Sequence, residues 1–444
     1  MSIIPPVRSR FSGPFPPGPR SWIPGANLRA MQRDPLAFLT AVARAYGDVA
    51  HFTFGPQHLY LINHPDLIRD VLVTQQHSFM KGRALQRTKV LLGEGLLTSE
   101  GELHRRQRRL MQPAFHRDRL AQYARIMVED AERTAANWVQ GETDVAREMM
   151  RLTLSIVGRS LFGSEIQGEA DEIGRALTEL MDVFTVILNP FTQWLQRLPL
   201  PRKRAAGRAI ERLDRTIDRM IAERRAPDAG RGDLLSMLLL ARDEDGGGGM
   251  SDRQVRDEVM TLFLAGHETT ANALSWTWYL LAQHPEVERK LHAEVDSEGP
   301  VYERLPYTRM VLSESMRLYP PAWIIGRLAL EDVPIGGHTI PRGAVVMVSQ
   351  WVTHRDPRWW PDPERFDPER FAAEPSWPKF AWYPFGGGSR TCIGEGFAWM
   401  EGVLVLAVLA RRWRFELARS EPVRPRPVIT LRPRGGIRMR AVRR

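Results

Sequence analysis

The sequence predicts a mainly α-helical fold with small β-sheets, and three observations carry that prediction. Helical periodicity dominates from Pro65 onward, with amphipathic stretches at residues 129–139 and 205–223. A long helix, apolar on most faces, spans residues 252–283 and has to run through the middle of the protein. Strand-type alternation is confined to two short stretches, residues 48–61 and 334–349, each broken by glycine turns.

The elements follow in order. Residues 1–20 are rich in proline and glycine (Pro14-Phe15-Pro16-Pro17-Gly18-Pro19) and read as an extended segment wrapping the surface. Residues 21–444 then read as one large domain. Gly55-Pro56 turns a short hairpin within residues 48–61. Gly246-Gly247-Gly248-Gly249 marks a mobile loop, with chemistry-bearing motifs on both sides, so it lies inside the domain rather than between two. Ser251 and Asp252 cap the start of the long helix, and His284-Pro285 ends it. A second apolar helix, residues 395–412, opens just after the single cysteine, where its N-terminal dipole would face a thiolate.

Composition sets limits. Of 444 residues, 43% are hydrophobic and 26% charged, as in a globular protein. No apolar run reaches the ~18 residues a bilayer-spanning helix needs, and the N-terminus lacks a signal-peptide layout, so a cytoplasmic protein without a transmembrane anchor is expected. The net charge of +10 comes from arginines spread along the chain, with no nucleic-acid-binding pattern, which favours an acidic protein partner over nucleic acid.

Cys392 is the only cysteine, so it forms no internal disulfide and builds no multi-cysteine metal site. Free cysteines commonly just fill core space. This one instead follows a triple-glycine turn and an arginine, in Phe385-Gly386-Gly387-Gly388-Ser389-Arg390-Thr391-Cys392-Ile393-Gly394. A lone thiolate there serves either as a nucleophile, which needs a partner base, or as one axial ligand to a metal cofactor.

The spacing Phe385-x-x-Gly388-x-Arg390-x-Cys392-x-Gly394 resembles the haem-binding loop of the cytochromes P450. The resemblance extends over nearly the whole chain, because three further motifs appear in the family's order. Ala265-Gly266-His267-Glu268-Thr269-Thr270 is similar to the oxygen-binding helix. Glu314-x-x-Arg317 with a later Arg370 is similar to a structural triad. His104-x-x-x-Arg108 is similar to a propionate-binding helix. Each has a plainer reading: close helix packing with threonines bonding back to carbonyls, a solvated charge pair, and a surface basic helix.

The resemblance implies a P450 fold with haem between the central long helix and the cysteine loop. The cofactor is then haem b (iron protoporphyrin IX), with Cys392 as the iron ligand. Phe385 would shield the sulfur, and Arg390, His104, Arg108 and Arg327 would pair with propionates. Gly394, Ala265 and Gly266 would line the cofactor. Thr269 would hydrogen-bond the distal oxygen of dioxygen and Glu268 would relay protons from solvent. Glu314, Arg317 and Arg370 would hold the loop in place, and Arg105, Arg106 and Arg109 would meet an acidic electron donor.

The implied reaction is monooxygenation of an apolar small molecule with O₂. No flavin or ferredoxin segment is recognised, so electrons are expected from a ferredoxin or flavodoxin with an NAD(P)H-dependent reductase. Substrate contacts are implied in residues 80–97, 180–200 and 322–326 and near Leu264 and Ala265, with Ala322, Ile324 and Ile325 named in particular. Fatty acids, terpenoids, carotenoids and steroids all fit an apolar pocket. A peroxide-driven peroxygenase and a non-enzymatic haem-thiolate sensor are the alternatives. The acid–threonine pair argues against the first, and the second needs no proton relay.

Overall fold

The structure is a computed structural model that describes residues 15–163, 201–225, 233–241 and 249–444. The substrate segment 180–200 and most of the glycine loop lie outside these residues. The chain divides into two compact units. The first holds the described residues up to Gln86, then Ala322–Arg365 and Pro375–Cys392; the second holds the rest.

The first unit is built on a five-stranded sheet. Its strands lie in the order Val49–Phe54, Gln57–Ile62, Val345–Val348, Ile325–Ala329, Phe79–Lys81. The first two form the expected hairpin, with Gly55 in the left-handed region. Gln57–Ile62 pairs parallel with Val345–Val348, and the remaining pairings are antiparallel. Alternate side chains from these strands join Ile68, Leu72, Phe380 and Tyr383 in one core. Two short helices, Ala26–Arg33 and Pro35–Tyr46, precede the sheet, and Asp34 caps the second by accepting from the Ala37 N–H at 3.0 Å. The described end of the proline-rich segment is tied down: Phe15 stacks on His51 at 4.3 Å, and Pro17 O accepts from His51 N–H.

The second unit is helical around Asp252–Leu281, the long helix anticipated from its pattern. Ser251 caps it by accepting from the Gln254 N–H. Helices Val145–Phe162, Pro306–Leu318 and Glu395–Ala410 pack against it. Phe162 stacks on Phe263 at 4.6 Å, and Trp276 on Tyr319 at 4.0 Å. The stretch expected at 205–223 is the helix Pro201–Arg224, begun one turn earlier with proline at the position helices favour. The stretch expected at 129–139 is part of Arg117–Asn137. Trp138 leaves that helix to donate to Glu148 and to pack edge-on against Trp413 and Phe415, so tertiary contacts end it before Val139. Strands Gly141–Asp144, Arg438–Arg443 and Trp413–Leu417 form a small sheet, and Pro425–Pro427 pairs with Leu431–Pro433.

Candidate functional site

The cysteine loop belongs to the first unit and its backbone is tightly determined. Gly386 and Gly388 have φ of 76° and 70°, a region costly to any residue with a Cβ. A Cβ on Gly388 would also stand 2.0 Å from Leu72 O. The Thr391 N–H bonds Gly388 O at 3.1 Å, the Cys392 N–H bonds Phe385 O at 3.0 Å, and the Ser389 N–H bonds the Gln76 side chain at 2.7 Å. This frame presents Cys392 as an exposed side chain, which rules out core filling. Among the described residues no group of three or more His, Cys, Asp or Glu could hold a metal ion. An exposed single thiol on a fixed loop fits one axial ligand to a haem iron and fits no multidentate site. Phe385 and Arg390 flank it, both half-buried.

Arg327, also half-buried, lies on strand Ile325–Ala329 and donates to Gly326 O at 3.2 Å. Ala322 and Ile324 are half-buried before it. Ile325, half-buried as well, packs against the sheet core, and its Cδ1 is 3.6 Å from where a Gly386 Cβ would stand, so it also supports the cysteine loop.

In the second unit the long helix carries the other motif. Between Asp257 and Leu281 every residue is buried except Ala265, Gly266 and Thr269. These three share one face, since Ala265 and Gly266 lie four and three positions before Thr269. Leu264, grouped with Ala265 from sequence, is buried and lies outside that accessible patch. The plainer reading of the motif is also realised. Gly266 lets helix Val145–Phe162 approach, its would-be Cβ lying 3.1 Å from Val157, and the Thr153 hydroxyl donates to His267 O at 2.9 Å. Thr269 Oγ1 donates to Ala265 O at 2.7 Å.

Glu268, unlike Ala265, Gly266 and Thr269, is buried. Its carboxylate accepts from Arg432 Nε at 2.7 Å and from the Thr430 hydroxyl, which accepts in turn from Asn272 Nδ2 at 3.2 Å. Burial alone would push its pKa up, but the hydrogen bond and charge of Arg432, with Thr430, hold it below the usual carboxylate range. A folded value below the unfolded one means the ion pair stabilises fully above the carboxylate range and is lost as pH falls through the lowered value. Arg432→Met is therefore expected to cost about 3–5 kcal/mol near neutrality. Thermal unfolding across pH should show the gap to wild type narrowing as pH falls. The partners of Glu268 lie more than 160 positions away in sequence, so no local signal could have named them.

The remaining candidates fall as follows. His104 is buried and Arg108 half-buried on helix Gly101–Met111, four positions apart. Of the arginines on its other faces, Arg105 pairs with Glu102 and Arg109 is exposed. Arg106 instead turns into the protein and donates to Gly249 O at 3.2 Å, which removes it from the outward-facing set. Gly394 caps helix Glu395–Ala410, 3.7 Å from Phe115 as measured from a Cβ position. Glu314 and Arg317 form a fully buried two-pronged ion pair at 2.7 and 2.8 Å. Arg370 Nε and the Asp367 N–H complete it, at 3.3 and 3.0 Å from Glu314 Oε1.

Among the buried acids that the sequence reading did not single out is Glu401. Glu401, inside helix Glu395–Ala410, is fully buried, and among the described residues neither of its oxygens meets a donor in good hydrogen-bond geometry. Desolvation raises its pKa well above the ordinary 4.5, and Thr270, whose hydroxyl faces Gly266 O instead, offsets only part of that. Its ionisation is resisted in the folded chain alone, so stability falls as pH rises above the ordinary value. Glu401→Gln is expected to raise the melting temperature by a margin that widens from about pH 5 to about pH 8.

The cytochrome P450 family model matches residues 16–438. Cyclooctatin synthase of Streptomyces melanosporofaciens is 42% identical over 414 residues, 90% of each chain. Cyclooctat-9-en-7-ol 5-monooxygenase of the same organism is 40% identical over 414 residues, 90% of this chain and 88% of that one. Pentalenene oxygenase of Streptomyces avermitilis is 36% identical over 427 residues, 93% and 94% of the two. With its cysteine loop, its acid–threonine helix and this match along nearly its whole length, the chain belongs to the cytochrome P450 family.

Proposed function

We propose that this monooxygenase oxidises an apolar cyclic terpenoid, an alkene or alkenol, and that its cofactor is haem b held by Cys392. The observation that carries the reading is the accessible patch of Ala265, Gly266 and Thr269 on a helix otherwise buried from Asp257 to Leu281. Such a patch presents two small side chains and one hydroxyl, which suits the approach of a flat cofactor and an apolar ligand. The substrate class is supported by relatives whose names specify pentalenene and cyclooctat-9-en-7-ol. When bound, the haem-thiolate group supplies dioxygen activation and transfer of one oxygen atom to a C–H or C=C bond, the other leaving as water.

This chain's residues do the rest. The Cys392 thiolate would donate electron density to the iron, from a loop whose backbone is fixed by the Phe385 O and Gly388 O bonds. Arg390, Arg327, His104 and Arg108 would hold the propionates. Thr269 Oγ1 can turn from Ala265 O to donate into the accessible patch, a rotation that exchanges one hydrogen bond for another. Glu268 is ionised against Arg432 and can carry a proton only after that pair opens, so proton delivery from it requires movement of Arg432. Electrons would come from a ferredoxin or flavodoxin with an NAD(P)H-dependent reductase, with exposed Arg105 and Arg109 on the docking face. Among the described residues no helix is long and apolar enough to cross a membrane; a cytoplasmic location is part of the proposal.

The test pairs the carbon monoxide spectrum of the reduced protein with product analysis on cyclic terpenes and terpene alcohols, driven by ferredoxin and its reductase. Reductant-dependent formation of a monohydroxylated or epoxidised product supports the reading; reductant use without oxidised product from any of them overturns the substrate class. Thr269→Ala is expected to lower product per reductant consumed by about tenfold or more, general acid–base positioning being worth that much. Peroxide-driven turnover should fall far less. Equal retention of both would remove Thr269 from oxygen activation.

A further inference from the structure

The long helix makes a second, unassigned set of contacts two turns before its accessible patch. Asp257 and Glu258 are buried acids there, and each accepts from the backbone of one short loop. The Glu94 N–H donates to Asp257 Oδ2 at 2.9 Å, and the Leu96 N–H donates to Glu258 Oε2 at 2.8 Å. The loop is shaped for this approach. Gly93 has φ 59°, and its would-be Cβ lies 2.0 Å from the Asp257 carboxylate; that of Gly95 lies 2.3 Å from Thr261 Oγ1. Two carboxylates gripping consecutive alternate amides, across glycines that alone permit it, form a built clamp. Charge-assisted bonds to backbone N–H groups are among the stronger ones available. The clamp also reaches the neighbouring helix Pro201–Arg224, because Arg256 bonds Asp257 Oδ1 at 2.9 Å and Asp214 Oδ1 at 2.8 Å.

We infer that Asp257 and Glu258 are specificity-determining positioning residues: they set where the loop carrying Leu96 and Leu97 stands relative to Ala265 and Thr269 on the same helix. The inference rests on the reading of that patch as the place where substrate meets haem. Neither acid touches substrate. Their effect passes through the loop, so loosening them changes which ligand shapes are accepted while leaving the cysteine loop as it is. The side chain of Arg256 ties the same clamp to the helix that carries Asp214, so displacement of that helix is transmitted to the loop through one ion-paired residue.

The experiment uses the haem-loaded enzyme and two iron-binding probes, imidazole and the bulkier 4-phenylimidazole, read by the Soret shift. Amide exchange at Glu94 and Leu96 reads the clamp itself. Glu258→Leu keeps roughly the volume and removes the acceptor, while Glu258→Gln keeps an acceptor oxygen. In Glu258→Leu, exchange at Leu96 should quicken by about tenfold, the loss of one buried hydrogen bond. Its preference between the two probes should shift by about fivefold or more, with imidazole affinity changed less than about twofold. Glu258→Gln should restore both to within about twofold of wild type. Gly95→Ala, which drives a methyl group into Thr261 from the loop side, should shift the preference similarly and decides the matter if Glu258→Leu does not fold. Faster exchange with unchanged preference, an equal change for both probes, or Glu258→Gln behaving as Glu258→Leu would overturn the inference. A wild type that shows no Soret response to imidazole would overturn the haem reading instead, and the exchange measurement would still report on the clamp.

Discussion

Cys392→Ser is expected to fold and to lose the red-shifted carbon monoxide band together with turnover. The loop around Cys392 is held by backbone bonds, Cys392 N–H to Phe385 O and Thr391 N–H to Gly388 O, and by left-handed glycines at 386 and 388. None of these uses the sulfur. The side chain is exposed, so replacing sulfur by oxygen should change stability of the haem-free chain by no more than about 0.5 kcal/mol, as for surface substitutions. The chemistry changes far more. An alcohol does not ionise at neutral pH, and even an alkoxide is a harder, poorer donor to iron than a thiolate. Reductant-driven product formation should fall by at least about a hundredfold, the scale expected when a group that acts on the transition state is removed. Thermal unfolding, the reduced carbon monoxide spectrum and product yield check this together. A serine variant that kept the red-shifted band would remove Cys392 from the iron.

Arg317→Ala is expected to cost about 3–5 kcal/mol, because it leaves Glu314 charged, buried and short of its two-pronged partner. Both side chains are at 0% exposure, with bonds of 2.7 and 2.8 Å, so water cannot replace what is lost. Typical domains hold only about 5–15 kcal/mol in total, so the variant should lose most of its soluble, haem-loaded yield. Glu314→Ala should be at least as damaging, since it removes the carboxylate that Arg317, Arg370 and the Asp367 N–H share. Arg370→Ala should be milder: its bond is longer, at 3.3 Å, and its side chain is 12% exposed. The exposed pair Lys290–Glu369 on the same unit is the control, where Lys290→Ala should cost about 0–1 kcal/mol. Denaturant midpoints for the four variants, measured on the loaded enzyme, check the order. If Arg317→Ala matched Lys290→Ala, the triad would be a surface feature energetically.

Much of this molecule was legible because its strongest signals are local. Residues 252–283 read as a long helix apolar on most faces, with a Ser251 cap and a His284-Pro285 stop, and the helix runs Asp252–Leu281. The Gly55-Pro56 hairpin was likewise readable from its own turn chemistry. Failures occurred where a distant partner decided the outcome. The helix ending at Asn137 was cut short by Trp138 turning to Trp413 and Phe415, which periodicity cannot register. Arg106 read as one more basic surface residue, yet it bonds Gly249 O.

The sequence by itself determined the chemistry. A single cysteine after a glycine turn, an adjacent acid and threonine, and a Glu-x-x-Arg pair specify which atoms are available, and such motifs are short enough to be read without knowing the fold. Only the tertiary structure decided what each charge faces. Glu268 is tied to Arg432 and Thr430, Glu401 meets no well-placed donor among the described residues, and Asp257 and Glu258 hold the Gly93–Leu96 backbone. The reason is physical. Whether a buried carboxylate is ionised, neutral or structural depends on the donors within about 3 Å of it, and in a chain of 444 residues those donors arrive from positions that share no local pattern with it.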